Sequence, residues 1–358
     1  MSRFLSTFRS RWCSALCIGF IVAGLALAFA WLAGWIGQGR LTSEQVLAVL
    51  VKDAAHPFPA GFRRAHGKGM CFTGQFEPTR QAAELSSANV FRGVSTPVVG
   101  RFSLGSDNPH AADNTSRDLS IALQLKDLEG GEWRIAMVNS PFSATATVEE
   151  LVAMIRAFEP DATAQAPVPA RVEAFYHAHP QARKLALWSE NAPWASSFAV
   201  TEFNSINTFV FTSAQQQKRF VRWALQPRLP FSAWPADARA KAQSQGLFDE
   251  LHTRLAVAPL VWDLVVTIAA SSDPVLAPSQ PWPESRQRIN AGTLTVNAVS
   301  QQATGACRDI NFDPTIVPNG IEISDDPILH ARSGVYAKSF NLRQRENGDR
   351  APGKEVTP

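Results

Sequence analysis

The stretch FDPTIVPNGIEISDDPILHARSGVY, residues 312–336, carries the strongest signal in this chain. Its proline-rich first half predicts a turn, and the residues from 328 onward predict a helix. On a helix, residues four apart share one face, so Arg332 and Tyr336 are neighbours and Arg343 lies two turns further along. A cation held against a phenol favours the phenolate, which can anchor a hydrogen bond, act as an acid or base, or bind a hard metal ion. Such a pair is more often ordinary packing, so the remaining sequence has to separate these interpretations.

Composition restricts the class of protein. The chain has 358 residues, of which 45% are hydrophobic and 18% are charged, and this suits one large domain or two ordinary ones. A net charge of +3 is too small to indicate a nucleic-acid partner. The sequence contains no P-loop, no Gly-x-Gly-x-x-Gly, no Gly-x-Ser-x-Gly and no internal repeat, so it lacks the common signatures of nucleotide-binding proteins and serine hydrolases.

An uncharged apolar segment lies near the N-terminus. Residues 14–36, SALCIGFIVAGLALAFAWLAGWI, are long enough to cross a bilayer as a helix, and two tryptophans near the end suit the membrane interface. Three arginines and no acidic residue precede the segment, which favours a cytoplasmic location for residues 1–13. We therefore predict a single-pass anchor in the cytoplasmic membrane, with the rest of the chain on the extracytoplasmic or periplasmic side. A cleaved signal peptide is the alternative, although its apolar region is usually about 7–15 residues long.

The remaining sequence alternates strand-like and helical segments. Amphipathic patterns such as SEQVLAVLVKDAA (43–55) predict helices between the strand-like runs. Antiparallel strands with inserted helices indicate an α+β domain whose sheet can close into a barrel. We assign this domain to residues 40–345 and expect a disordered tail at 346–358. The predicted strands include TPVVGRFSL (96–104), LSIALQLKD (119–127), EWRIAMVN (132–139), KRFVRWALQP (218–227), PLVWDLVVTIAAS (259–271) and GTLTVNAVS (292–300).

The four cysteines do not define a disulfide framework. Cys13 and Cys17 lie in or beside the apolar segment, which leaves Cys71 and Cys307 in the domain. A single bridge between these two is one outcome in an oxidising compartment. If Cys71 is a free thiol, it could be redox-active so near His66, and we favour a buried, inert thiol over that alternative. No group of cysteines and histidines has the spacing of a zinc site.

Three motifs upstream of residue 312 carry polar residues suited to acid–base chemistry. RRAHGKGMCFTGQF places His66 between an arginine pair and a lysine, and VVGRFSLGS places Ser103 on a predicted strand. MVNSPF offers Asn139 as a neutral donor at the end of another strand. A serine hydroxyl can hold one imidazole nitrogen and thereby fix the tautomer of the other. His66 considered alone is more often a structural hydrogen-bonding residue, so the order of the motifs matters.

In chain order, R-x-x-H-x-K-G, V-x-R-F-S, a strand ending in Asn-x-Pro and F-D-P…G-I-E-x-S-x-D-P…R-x-x-x-Y together resemble the haem catalase superfamily. The likeness runs from about residue 47 to residue 345, and residues 203–227 also resemble barrel strands of that family. The most similar branch is the short, catalase-related peroxidases, which lack the long N-terminal arm and C-terminal extension of full catalases. The resemblance implies a catalase-like antiparallel β-barrel of about eight strands with flanking and inserted helices.

The resemblance also implies haem as the cofactor, with haem b expected, and a role for eight residues. Tyr336 takes the place of the ligand to the haem iron, and Arg332 that of the arginine that keeps the ligand a phenolate. On the other side of the haem, His66 matches the distal histidine, Ser103 the serine that orients it, and Asn139 the distal asparagine. The arginines expected to bind the haem propionates are Arg63, Arg101 and Arg343.

The expected activity is that of a haem peroxidase that reduces hydrogen peroxide or organic hydroperoxides with an unidentified external donor, with weak catalase activity as an addition. Departures from the family pattern motivate this expectation. RDLSIA (117–122) has lost the Pro, Arg and Gly of the family motif, Phe142 is followed by Ser143, and Gly105 stands where a valine often narrows the channel. A wider approach to the iron would favour organic donors. Rearrangement of hydroperoxides, as in allene oxide synthases, and haem binding without turnover are the alternatives.

The expected partners are a peroxide, a reductant and the lipid bilayer, with no nucleic acid. A homodimer is a further option, whereas the tetramer of full catalases uses arms that this chain lacks. We expect Lys68 to tie loops together without taking part in chemistry. Trp133, Trp223 and Trp262 are expected in the core, and we assign them no radical role.

Overall fold

The computed structural model describes residues 18–31, 41, 43–52, 59–161, 166–242 and 245–349. The chain divides into two compact units, Met1–Thr42 and Ser43–Pro358, and each is described by itself.

The first unit contributes one described helix. Residues 18–31 form α1, and large apolar side chains along it are exposed, among them Phe20, Leu25 and Phe29. Within the described ranges, no helix has both the length and the apolar composition needed to span a bilayer. The transmembrane helix predicted for residues 14–36 is therefore not found there. The rest of that segment, like residues 1–13, lies outside the described residues.

The second unit is built around one antiparallel sheet. In the described ranges its strands are β1 (Gly69–Pro78), β2 (Thr96–Leu104), β3 (Leu119–Lys126), β4 (Glu132–Val138), β5 (Phe203–Asn204), β6 (Phe209–Thr212), β7 (Lys218–Pro227), β8 (Leu260–Ile268), β9 (Arg288–Gln301) and β10 (Ile321–Ile323). Eight of them close into a ring in the order β7-β5-β4-β3-β2-β1-β9-β8, because β8 also pairs with β7. The strands β6 and β10 extend the sheet beside β7. The expected antiparallel barrel of about eight strands is confirmed.

The first four strands place different side chains on the two faces of the sheet. Successive side chains on a strand point to opposite faces, and the register aligns Ser103 with Ser120 and Ser120 with Val138 across the three strands β2, β3 and β4. The adjacent row across the same strands contains Phe102, Ile121 and Met137, which belong to the buried hydrophobic core inside the barrel. The outer face of these strands therefore carries Ser103 and Ser120.

The core inside the barrel is rich in aromatic side chains. Trp133, Trp223 and Trp262 are almost fully buried in it, which confirms the expectation for these residues. The rings of Trp133 and Trp223 meet edge to face at a centroid distance of 5.2 Å, a geometry that adds about 0.5–1.5 kcal/mol to the burial of the rings. The barrel is thus filled by side chains and leaves the outer face of its strands for a ligand.

Helices cover the outside of the barrel. The long C-terminal helix, Pro327–Asp349, contacts Ser43–Lys52 and Val148–Phe158. It extends four residues past the assigned domain end at 345, and its Glu346 forms an ion pair with Arg64, whereas residues 350–358 lie outside the described residues. The helices that follow α1 are α2 (Ser43–Lys52), α3 (Arg80–Leu85), α4 (Val148–Phe158), α5 (Pro169–Ala178), α6 (Pro180–Asn191), α7 (Ala236–Ala240), α8 (Gly246–Leu255) and α9 (Pro327–Asp349).

Candidate active site

A cavity of about 390 Å³ is lined by the outer face of β2–β4, by α9 and by the loop before β1. This volume falls within the usual range for small-molecule and cofactor sites, about 300–1,000 Å³. Most of its wall is apolar, and Leu47 of α2 and Leu151 of α4 contribute to it. Seven of the eight predicted site residues line the cavity: Arg63, His66, Arg101, Ser103, Arg332, Tyr336 and Arg343. Asn139 is not among the lining residues.

On one side of the cavity, a chain of hydrogen bonds leads from the start of α9 to Tyr336. The buried carboxylate of Asp326 accepts from two backbone N–H groups in the first turn of α9, at 2.9 and 3.3 Å. Its other oxygen accepts from Asn207 Nδ2 at 2.8 Å, and Asn207 Oδ1 accepts from Arg332 Nη1 at 2.6 Å. Arg332 Nη2 donates to the Tyr336 hydroxyl oxygen at 3.3 Å. The cap of the helix and the amide of Asn207 thus fix the guanidinium that meets the phenol.

This arrangement confirms that Arg332 and Tyr336 share one face of a helix. The guanidinium carbon of Arg332 lies 5.7 Å from the centre of the Tyr336 ring, so its charge lies close to the phenol oxygen. Arg332 thus brings both a positive charge and an N–H donor to that oxygen. A phenolate facing a cavity is suited to bind a hard metal ion, as tyrosine does in haem catalases.

On the other side of the cavity, His66 lies in a loop with an unusual backbone conformation. Its φ angle is 52°, in the left-handed region, which costs about 1–3 kcal/mol for a residue other than glycine. Arg101 Nη2 donates to the backbone oxygens of His66 at 2.6 Å and Gly67 at 3.1 Å. These bonds hold the loop in the conformation that directs the imidazole into the cavity.

The imidazole of His66 contacts Ser120 rather than Ser103. Ser120 Oγ lies 3.0 Å from His66 Nδ1, and Ser103 Oγ lies 2.7 Å from Ser120 Oγ. The prediction that Ser103 orients the imidazole directly is therefore corrected, because Ser103 reaches it only through Ser120. The reason is the register of the sheet, which places Ser120 on the neighbouring strand directly opposite Ser103.

The surroundings of His66 keep its imidazole neutral. Burial and, after it, the positive charge of Arg101 lower the pKa of His66 to about 4, with smaller contributions from Arg332 and Arg63. The backbone at Leu104 acts in the opposite direction and raises the pKa. At neutral pH the side chain is therefore an unprotonated base, the state required to accept a proton from a substrate.

Asn139 does not face the cavity, contrary to its predicted role as the distal asparagine. Its Nδ2 donates to the backbone oxygen of Arg117 at 2.9 Å, and its Oδ1 accepts from the N–H of Leu119 at 3.1 Å. The preceding residue, Val138, lines the cavity instead, because neighbouring residues on a strand point to opposite faces. Asn139 thus braces the chain around residue 118, and an aliphatic side chain occupies the position beside Ser120.

Three arginines at the cavity lack enough anions to compensate their charge. Burial, together with mutual repulsion, lowers the pKa of Arg63 well below its ordinary value and that of Arg101 to about 9. Within the described structure, Arg343 Nε and Nη2 and Arg63 Nε are buried without a hydrogen-bond partner. Unsatisfied buried donors on a cation are costly, so this end of the cavity requires an anionic ligand. Two carboxylates would satisfy these donors, and the cavity therefore fits the propionate groups of haem.

Arg63 is held by a loop that a disulfide secures. Arg63 Nη2 donates to the backbone oxygens of Cys307 at 3.1 Å and Ile310 at 2.9 Å, and its guanidinium lies 5.5 Å from the ring of Phe312. Cys307 is bonded to Cys71 of β1 with a Cα–Cα distance of 5.3 Å. The interpretation of Cys71 as a free, inert thiol is therefore wrong, and the bridge is the correct alternative. It packs with Phe312 against Tyr336.

Two further expectations concern residues near His66. Lys68 Nζ donates to the backbone oxygen of Ala111 at 2.8 Å and to Asp113 at 2.6 Å, so it ties loops together as expected. Gly105 does not widen the approach to the cavity, because a side chain there would meet the Cβ atom of Asp118 at 2.4 Å. The position is closed by Asp118, and the glycine is required by this close approach.

Sequence patterns did not reveal Ser120, Asn207 or Val138 as residues of the site. Ser120 was visible only as part of a motif that had lost its family residues, in RDLSIA. Asn207 lies 125 residues before Arg332, and no local spacing connects the two. The alternation of β4 was the one signal that could have distinguished Val138 from Asn139, given knowledge of which face meets the cavity.

A barrel with this outer cavity, an arginine-paired tyrosine and unsatisfied arginine donors has the features expected of a haem-binding protein. The sequence profile of the catalase family matches residues 61–352. The chain is 34% identical over 341 residues to a catalase-related peroxidase of Synechococcus elongatus, covering 94% of this chain and 98% of the relative. It is 32% identical over 319 residues to a catalase-related peroxidase of Mycolicibacterium paratuberculosis, covering 88% and 99%. A crystal structure of a fungal catalase superposes with a TM-score of 0.70 at 18% identity, over 88% of this chain and 65% of that chain, which supports the fold.

The chain belongs to the catalase family, and it is an enzyme of the catalase-like haem peroxidase type. The resemblance seen in the sequence motifs is thereby confirmed. The family implies haem binding, and the cavity has the residue types that haem requires.

Proposed function

We propose that this enzyme reduces hydrogen peroxide or organic hydroperoxides with an external electron donor, using haem b. The observation that carries the proposal is one cavity lined both by Tyr336, paired with Arg332, and by His66, which is neutral at pH 7. A protein that only stores haem needs the first pair but has no use for a positioned base.

The residues of the cavity divide the work among binding, charge stabilisation and proton movement. Tyr336 would hold the haem iron through its phenolate oxygen, and Arg63 and Arg343 would hold the two propionates. When bound, the haem supplies the iron that takes part in the two-electron reduction of the peroxide. Because Nδ1 of His66 contacts Ser120, its Nε2 is the nitrogen left for the substrate. It would take the proton from one peroxide oxygen and return it to the other, which becomes water or an alcohol, a step worth about 10²–10⁴ in rate.

The wall beside Ser120 favours a peroxidase with weak catalase activity. Val138 lines the cavity where an amide could have held a small, hydrated peroxide by hydrogen bonding. Ile206 and Ile328 extend the apolar lining. Burying the alkyl part of an organic hydroperoxide against this apolar surface stabilises the bound substrate by about 25 cal/mol per Å² of apolar area buried. We therefore expect a higher kcat/KM for alkyl hydroperoxides than for hydrogen peroxide.

The test combines spectroscopy with turnover. The full-length chain, supplied with haem, should show the absorption spectrum of a tyrosinate-bound ferric haem, and Tyr336→Phe should lose or alter that spectrum. Hydrogen peroxide and an alkyl hydroperoxide should then be consumed only when a donor is present. Conversion of a lipid hydroperoxide without any donor would favour the rearrangement activity instead. A normal haem spectrum without peroxide-dependent turnover would support a haem-binding protein, and a folded chain with no Soret band would contradict the proposal.

We also propose that residues 14–36 attach the enzyme to the cytoplasmic membrane, with the catalytic unit on the periplasmic side. The support is the absence of charged residues in this segment and the exposure of apolar side chains on residues 18–31. Fractionation of cells that produce the full chain should recover it with membranes after a carbonate wash, and protease added to spheroplasts, in which the periplasmic side is accessible, should degrade it. A deletion of residues 14–36 is the control. Recovery of the full chain in the soluble fraction would contradict the proposal.

A further inference from the structure

We propose that Ser120 is the positioning residue that fixes the tautomer of His66, with Ser103 acting behind it. The proposal rests on the proposed function, because the tautomer matters only if His66 exchanges protons with a peroxide. It assigns to Ser120 the orienting role that the sequence motifs predicted for Ser103.

The sheet brings the two hydroxyl groups together on the face that lines the cavity. Ser103 and Ser120 are directly opposite each other on β2 and β3, and both line the cavity. Both residues are buried, so water does not compete freely for their hydroxyl groups. Their oxygens are 2.7 Å apart, and only Ser120 continues to the imidazole, at 3.0 Å from Nδ1.

The acceptors around Ser120 determine which way its proton points. Ser120 has a single hydroxyl proton, and it can donate that proton to the backbone oxygen of Ser103 at 3.3 Å or to Ser103 Oγ at 2.7 Å. A proton committed to Ser103 leaves the lone pairs of Ser120 Oγ facing His66. The oxygen then accepts the N–H of Nδ1, and the neutral imidazole carries its lone pair on Nε2. This is the tautomer that a base facing the cavity requires.

Apart from the backbone of Leu104, which raises the pKa of His66 through a hydrogen bond, Val138 and Arg101 leave few other groups to perform this task. The side chain of Val138, opposite Ser120 on β4, has no polar atom. Both polar atoms of the Asn139 amide are hydrogen-bonded to the backbone on either side of residue 118. Arg101 donates to the backbone oxygen of His66 and so fixes the loop, while its positive charge opposes protonation of the ring. Among the described hydrogen bonds, Ser120 therefore provides the side-chain contact to the imidazole.

The experiment compares Ser120→Ala with Ser103→Ala in the haem-loaded, full-length enzyme. Removing the hydroxyl of Ser120 should lower kcat/KM for peroxide by about 10–100-fold, the usual effect of losing an orienting partner. Ser103→Ala should cost less, because Ser120 can still donate to the backbone oxygen of residue 103. Ser120→Thr keeps the hydroxyl and should recover much of the loss. Ser95→Ala, an exposed serine just before β2, is the control for the substitution itself.

A second readout separates positioning from a general structural effect. Nitrogen-15 NMR of the histidine side chains, in the chain loaded with diamagnetic zinc protoporphyrin and in the unloaded chain, reports which ring nitrogen carries the proton. The wild type and Ser120→Thr should hold it on Nδ1, and Ser120→Ala should give a mixture of tautomers. An unchanged tautomer in Ser120→Ala, or a loss in Ser103→Ala as large as in Ser120→Ala, would overturn the proposal. Failure of the wild type to bind either porphyrin would instead refute the proposed function, since NMR of the unloaded chain still tests Ser120.

Discussion

Removing the disulfide should lower the stability of the protein and loosen its hold on haem. Cys71 and Cys307 are 236 residues apart, so the bridge closes a loop that includes most of the barrel. The chain-entropy estimate for a loop of this length is about 5.5 kcal/mol at 25 °C. Removing a native disulfide typically costs about 2–5 kcal/mol, so we expect Cys71→Ala combined with Cys307→Ala to reduce the free energy of unfolding by about that amount.

The effect on haem follows from the contacts of Arg63. Its Nη2 donates to backbone oxygens at Cys307 and Ile310, so the loop that the disulfide secures also determines where the guanidinium lies. Freeing the loop should raise the rate of haem dissociation, which can be measured by transfer to an excess of apomyoglobin. Changes in the distal contacts of His66 are not expected, because they arise from β2 and β3.

The assay is urea unfolding of the haem-loaded, full-length chain, at fixed total haem, for the wild type and the double variant with and without a dithiol reductant. Reductant should destabilise the wild type towards the double variant and leave the double variant unchanged. The comparison of the double variant with and without reductant also controls for Cys13 and Cys17, which remain in both proteins. A double variant as stable as the wild type, with the same rate of haem loss, would refute the argument.

Four other perturbations address the two sides of the cavity. The pKa of His66 is lowered from 6.5 to about 4, so as the pH decreases the unfolded chain protonates this histidine before the folded chain does. Stability should therefore fall as pH decreases from about 6.5 to 4, and peroxide reduction should fall near pH 4. A decline in the rate of peroxide reduction centred above about pH 6 would contradict this. Asn207→Ala removes the acceptor of Arg332 and should alter the haem spectrum and slow turnover by about 10–100-fold, whereas an unchanged spectrum would count against the hydrogen-bond chain. Val138→Asn should raise kcat/KM for hydrogen peroxide relative to an alkyl hydroperoxide. Asn139→Ala should mainly destabilise the fold, by about 1–3 kcal/mol in urea unfolding. A loss of turnover in Asn139→Ala, with no change of substrate preference in Val138→Asn, would show that Asn139 faces the substrate.

Local patterns predicted the elements well where a single period dominates. The strand β2 begins at Thr96 and ends at Leu104, as the run TPVVGRFSL indicated, and β3 and β4 each end one residue earlier than predicted. These strands have one face in the core and one lining the cavity, so alternation is visible in the sequence. The short strand β10 was not predicted from the sequence, because three residues are too few to show an alternating pattern.

The sequence by itself determined the family, the barrel, and the pairing of Arg332 with Tyr336. That pairing depends only on the helical repeat, which places residues four apart on one face whatever surrounds the helix. The arginines of the cavity and His66 were also recognisable, since the order of the motifs along the chain identifies them.

Only the tertiary structure decided which side chains touch. Ser120 rather than Ser103 meets His66 because the register between β2 and β3 and the left-handed backbone of His66 set the distance. Val138 rather than Asn139 faces the cavity because a strand changes face at every residue, so an assignment displaced by one residue reverses the result. Contacts between residues far apart in sequence, such as the disulfide, depend on how the closed barrel brings its strands and loops together, and no periodicity within a segment encodes that distance.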